Sequence, residues 1–153
     1  MKNERNALVD IETIRALRVL VWPTFAYFVL FFIFLCFQSF SKFYLVFSKK
    51  KGAVSLRDIK YGEGSKRGLA LLSDRTFLNM HEQSLAILFS VWLHGIIVHP
   101  SDAANTLWFY ITFRVFYPLG FRKGPPFLFL STFPNYFAIF YSWFRILTTV
   151  ISS

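Results

Sequence analysis

Polar and apolar residues in this chain are segregated into long blocks rather than mixed. Val19–Ser41 and Gln83–Ser101 contain no Asp, Glu, Lys or Arg, and each is near the ~20 residues that one helix needs to cross a bilayer. Ala103–Phe121 is a third block, interrupted by Arg114, and Gly124–Phe144 is a fourth, beginning with Pro125-Pro126 and containing Pro134. The blocks are continuous, whereas strands of a membrane barrel alternate in polarity over ~10-residue segments. The pattern predicts an all-α integral membrane protein, a four-transmembrane-helix bundle. Its spans should fall at about 17–47, 75–99, 103–121 and 126–150, within a single membrane domain covering residues 1–153. The one linker is the polar, basic stretch 48–73, where Gly52, Gly62, Gly64 and Gly68 are turn signals.

Composition strengthens this reading. The chain is 55% hydrophobic and 21% aromatic, with 21 Phe, and a soluble domain of this length leaves too much surface exposed to hide so much apolar area. Charge then sets orientation. Of the 17 Lys and Arg, nine lie between Lys42 and Arg75, and Arg122 and Lys123 follow the third span. The positive-inside rule places both segments on the cytoplasmic side, or its organellar equivalent, with both termini opposite. The net charge of +9 does not require a nucleic acid partner, because a juxtamembrane basic run such as Lys49-Lys50-Lys51 meets anionic lipid headgroups. The single cysteine, Cys36, excludes an intrachain disulfide.

A few polar residues break the apolar blocks. Arg75, Asn79 and Glu82 are spaced i, i+4, i+7, so at ~100° per residue they share one face of a helix. Ionised groups at membrane depth cost ~2.5–3.5 kcal/mol each on insertion scales, and such groups pair, face a bundle interior or hold a ligand. Glu82 therefore calls for Arg75 or Arg114 as a buried partner, or for a ligand that all three share. Tyr110, Arg114, Tyr117 and Phe121 form a similar stripe on the third span. Two plainer readings stay open: Arg114 snorkelling to the interface beside an aromatic belt, and Arg75 with Asn79 capping the second helix from Ser73 or Asp74. His81, His94 and His99 all lie on the second helix and do not converge as metal or haem ligands require, so no metal is expected. No relay for hydrolysis and no nucleotide motif is present.

The combination of four short spans, a long basic first loop, Arg75-x-x-x-Asn79-x-x-Glu82, Tyr110…Arg114-x-x-Tyr117-x-x-Gly120-Phe121 and Thr132-Phe-Pro-Asn-Tyr136 resembles the MAPEG family. These are the membrane-associated proteins of eicosanoid and glutathione metabolism, among them the microsomal glutathione transferases and leukotriene C synthase. The resemblance runs from about Leu17 to Val150. It implies a homotrimer in the endoplasmic reticulum or an organellar membrane, with glutathione as co-substrate or ligand between subunits near the cytosolic face. It further implies that Arg75 holds a glutathione carboxylate, Asn79 its backbone, and Glu82 its ammonium, with Tyr117 and Arg114 in the same pocket. A cation, an amide and an anion in fixed order suit a zwitterionic tripeptide.

Two positions depart from the pattern of the catalytic members. Phe121 stands where a second tyrosine is expected, and Ser131 where an arginine activates the thiol. A thiol of pKa ~8.5 needs a nearby cation for fast attack at neutral pH, and of the neighbouring residues Arg122 or Lys123 could substitute. The resemblance thus implies a glutathione transferase or peroxidase acting on a lipophilic small molecule, with binding better supported than catalysis. The alternatives are a lipid-binding scaffold, or a non-catalytic accessory subunit of a larger membrane complex.

Overall fold

The computed structural model describes residues 14–48 and 68–153. Among these the chain is entirely helical. The helices are α1, Val21–Ser48; α2, Leu69–Ile97; α3, Pro100–Val115; α4, Tyr117–Lys123; and α5, Pro125–Ser152. They pack as a four-helix bundle in which the third member is broken into α3 and α4. Residues 49–67, including the run Lys49–Lys51, lie outside the described residues.

Prolines set most boundaries. A short 3-10 turn, Arg18–Leu20, precedes α1; Pro23 has no N–H to close a bond to Val19, and the first turns tighten accordingly. His99 is extended, with φ −162° and ψ 127°, as the residue before a proline prefers, and Pro100 opens α3. Pro118 cannot bond the carbonyl of Arg114, and the helix breaks at Phe116. The expected third span, 103–121, is therefore not one helix: it begins at Pro100, stops at Val115 and resumes as α4. Gly124, at φ +99°, makes the turn into Pro125-Pro126 at the start of α5.

The second helix also differs from expectation. It starts at Leu69 with Gly68, at φ +81°, before it, so Ser73 and Asp74 lie inside it and not at its cap. Ala70 and Ser73 are buried there. The Ser73 and Ser41 hydroxyls are hydrogen-bonded. Asp74 accepts from Gln38 Nε2 at 2.7 Å and pairs with Lys42 Nζ at 2.7 Å. This first turn is held by side chains of α1, a contact that composition does not reveal.

Leu20, Tyr27, Met80, Ile87, Val91, Leu107 and Tyr110 form the core, each with no exposed surface. The outer face is apolar as well: Phe32, Phe40, Phe137, Phe140 and Phe144 are all more than half exposed. Among the described residues one helix, Ile14–Phe47, is long and apolar enough by itself to cross a membrane, with a mean hydropathy of 2.3 over its best window. A bundle that is apolar both inside and out is stable where the surrounding solvent is itself apolar.

At the end of the bundle where α2 turns into α3, a second polar cluster joins three helices. Asp102 accepts from Tyr141 Oη at 3.1 Å, lies 3.1 Å from His94 Nε2, and has Arg145 at 3.7 Å.

A buried guanidinium and the candidate glutathione site

The polar centre of the bundle is Arg114, which has no exposed surface. It sits on α3 one turn beyond Tyr110, and its guanidinium donates to Tyr110 Oη at 2.8 Å. From α2 it is met by the side-chain oxygens of Asn79 and Gln83, both in direct hydrogen bonds. Tyr110 in turn donates to Gln83 Oε1 at 3.2 Å. The rings of Tyr110 and Tyr117 lie 5.1 and 5.4 Å from the guanidinium carbon, close enough for a cation–π contribution. Arg114 is thus neither snorkelling nor paired with a carboxylate. Its charge is spread over two amide oxygens, a phenol and two aromatic faces.

Glu82 and Arg75 occupy different ground. Both side chains belong to exposed residues, and neither takes part in an ion pair among the described residues. The expected buried pair of Glu82 with Arg75 or Arg114 is not formed within this chain. Helical phase explains why: Asn79 and Gln83, four apart, lie one above the other against α3, while Glu82 falls on the flank beside them. Gln83 was missed from sequence because an uncharged amide does not interrupt a hydropathy block, and only its i+4 relation to Asn79 marks it.

Arg75, Glu82, Arg114 and Tyr117 nevertheless gather at one end of the bundle. Tyr117, 4% exposed, lies within electrostatic reach of Arg114, Arg75 and Glu82, and also of Tyr136 on α5, a residue not singled out from sequence as a site member. Because Asn79 Oδ1 accepts from Arg114, its amide N–H groups are left to donate. The geometry combines a fixed donor, a phenol, an exposed cation and an exposed anion on one flank.

The remaining positions lie around α4. Phe121 stacks on Tyr117, with ring centroids 6.2 Å apart, and with Arg122 lines a hollow of about 500 Å³ against Gly68, Leu69 and Leu72. Ser131 is buried, and its hydroxyl donates to the Leu128 carbonyl at 2.9 Å. Lys123 lies on the Ser131 side, its ammonium 4.8 Å from the Phe127 ring centre. The two possible substitute cations therefore line different hollows. The histidines do not converge: His81 stacks on Phe77, His94 is bound to Asp102, and no group able to hold a metal occurs among the described residues.

A helical bundle with an apolar exterior and a clamped arginine at its centre defines a membrane protein class with an internal polar site. The MAPEG family model matches residues 19–148, and the chain belongs to that family. It is accordingly a membrane protein of the glutathione and eicosanoid kind, in a family whose members are generally membrane-bound trimers and generally use glutathione. No curated protein and no solved structure matches it.

Proposed function

We propose that this protein is a four-pass, homotrimeric glutathione-binding protein that conjugates glutathione to lipophilic electrophiles only slowly. In this reading Arg75 takes a carboxylate of the tripeptide, Glu82 its ammonium, and Asn79 donates to its backbone. Tyr117 lines the pocket, and Arg114 works from behind by fixing Asn79. The observation that carries the reading is the Arg114–Asn79–Gln83 clamp, which orients an amide donor beside an exposed cation and anion that form no ion pair among the described residues. An ammonium and a carboxylate from a ligand, with a neighbouring subunit closing the site, would complement them.

The weak activity follows from the thiol's surroundings. Ser131 is occupied by a backbone carbonyl, Phe121 has no hydrogen bond to give, and loss of one well-placed group at an anion typically costs ~10²–10³ in rate. The same feature favours a lipid scaffold or accessory subunit as the second reading. Calorimetric titration of the purified oligomer with glutathione tests the first: binding at up to millimolar concentration is expected, weakened at least tenfold by Arg75→Ala. Absence of binding rejects the site and leaves the second reading.

A further inference from the structure

Two hollows on the outer face of the bundle adjoin in the seam between α3–α4 and α5, both reaching the first turn of α5 at Pro126 and Phe127. The first, about 420 Å³, is lined by Phe116, Leu119, Lys123, Phe127 and Ser131, and the second, about 540 Å³, by Phe109, Phe129, Phe133 and Phe137. Phe113 and Leu130 line both, so the hollows form one groove. Its walls are ordered rings: Phe129 and Phe133 are stacked at 5.3 Å, and Phe109 lies 4.8 Å from Phe113. Leu130, Phe133 and Phe137 are more than 60% exposed, so the groove opens laterally, away from the core.

The two ends of the groove differ. At one end stands the Lys123 ammonium with Arg122 next to it in sequence; the other ends on the aromatic ring of Phe137. Phe127 and Phe137 are ten residues apart on one helix, ~15 Å at 1.5 Å per residue, which is half of a ~30 Å hydrocarbon core. The groove therefore has the length of one acyl chain in one leaflet, with its positive charge at the headgroup level of the basic side.

We infer that this seam binds an anionic phospholipid, one acyl chain lying between α3 and α5 and the phosphate held by Lys123. The groove's lateral opening makes the bilayer itself the source, and the charge at its mouth selects the acidic headgroup. The inference rests on the membrane-spanning reading above and does not use the residues proposed to hold glutathione, since Arg75, Glu82 and Tyr117 do not line the groove, although Ser131 and Lys123, at its charged end, do.

Native mass spectrometry of the purified oligomer, equilibrated with equal amounts of phosphatidylglycerol and phosphatidylcholine, tests it. The parent should retain phosphatidylglycerol preferentially. Lys123→Gln should lower that preference about fivefold, the factor matching ~1 kcal/mol per basic residue at an anionic surface. Leu130→Trp, which fills the groove at an exposed position, should lower retention of both lipids. Arg145→Gln removes the same charge at the opposite end of the bundle and should change nothing. The proposal is overturned if Lys123→Gln and Leu130→Trp behave as the parent, or if Arg145→Gln acts as strongly as Lys123→Gln. It is also overturned if oleate is retained where phosphatidylglycerol is not, or if Leu130→Trp changes the oligomer's mass while leaving lipid retention intact, which would place a second copy in the seam. Extraction of the parent from membranes by alkaline carbonate would instead refute the membrane-spanning reading underneath.

Discussion

Arg114 and Glu82 show how differently two charges can be treated on neighbouring faces. The guanidinium is desolvated, and each interaction it has is with a neutral group, so removing an acceptor leaves a buried cation short of a hydrogen bond. Gln83→Leu, close in size but without the oxygen, should destabilise the protein by ~1–3 kcal/mol, read as a lowered thermal midpoint in detergent. Glu82 is exposed and forms no ion pair among the described residues, so Glu82→Ala should melt like the parent monomer fold while weakening glutathione binding. A large drop in thermal midpoint for Glu82→Ala without glutathione would show that the carboxylate is neutralised by a group beyond the described residues of its own chain, in this subunit or a neighbouring one.

At the level of elements, the join of α4 to α5 constrains the site most. A Cβ at Gly120 would stand 2.7 Å from the carbonyl oxygen of Phe127 and 2.9 Å from Ser131 Oγ. The first contact is with backbone, so α4 and α5 must move apart to admit it. Gly120→Ala should cost ~1–3 kcal/mol as overpacking does, and it should disturb glutathione affinity because Tyr117 lies on the same short helix. Hydrogen exchange of α4 would report the change directly. Asn135 supports the same region: its amide donates to the Ser131 carbonyl at 2.7 Å, one residue beyond Pro134, which leaves the Leu130 carbonyl without its usual helical donor.

For the whole molecule the predictions concern orientation and chemistry. On the proposed four-pass reading, the lysine and arginine asymmetry predicts α4 on the basic side and the C-terminus opposite. Cysteine labels at positions 122 and 153 should therefore react from opposite faces of sealed vesicles; labelling of both from one face would refute the four-pass arrangement. Ser131→Arg, combined with Phe121→Tyr, should raise turnover with an aryl electrophile while leaving glutathione affinity little changed, as expected for a group acting on the thiolate. High turnover in the unmodified protein would instead identify Arg122 or Lys123 as the activating cation.

Span length, charge asymmetry and the i, i+4, i+7 spacing of Arg75, Asn79 and Glu82 are properties of the chain alone. They determine a helical membrane architecture, its proposed orientation and the family to which it belongs. Helical phase also places Arg75 and Glu82 on one flank of α2, while their approach to Arg114 and Tyr117 depends on how α2 meets α3 and α4. Tertiary packing decided which polar residues are spent inside the protein and which remain for a ligand. Gln83 and Tyr110 become the partners of Arg114 because α2 and α3 meet along the Asn79–Gln83 face, and that rotation depends on contacts across 27 to 35 residues of sequence. The early start of α2 at Leu69 has the same origin, whereas the break at Phe116 follows from Pro118 and is written in the chain itself. A turn held by side chains of the neighbouring helix, unlike a proline's missing donor, forms only once the helices are side by side.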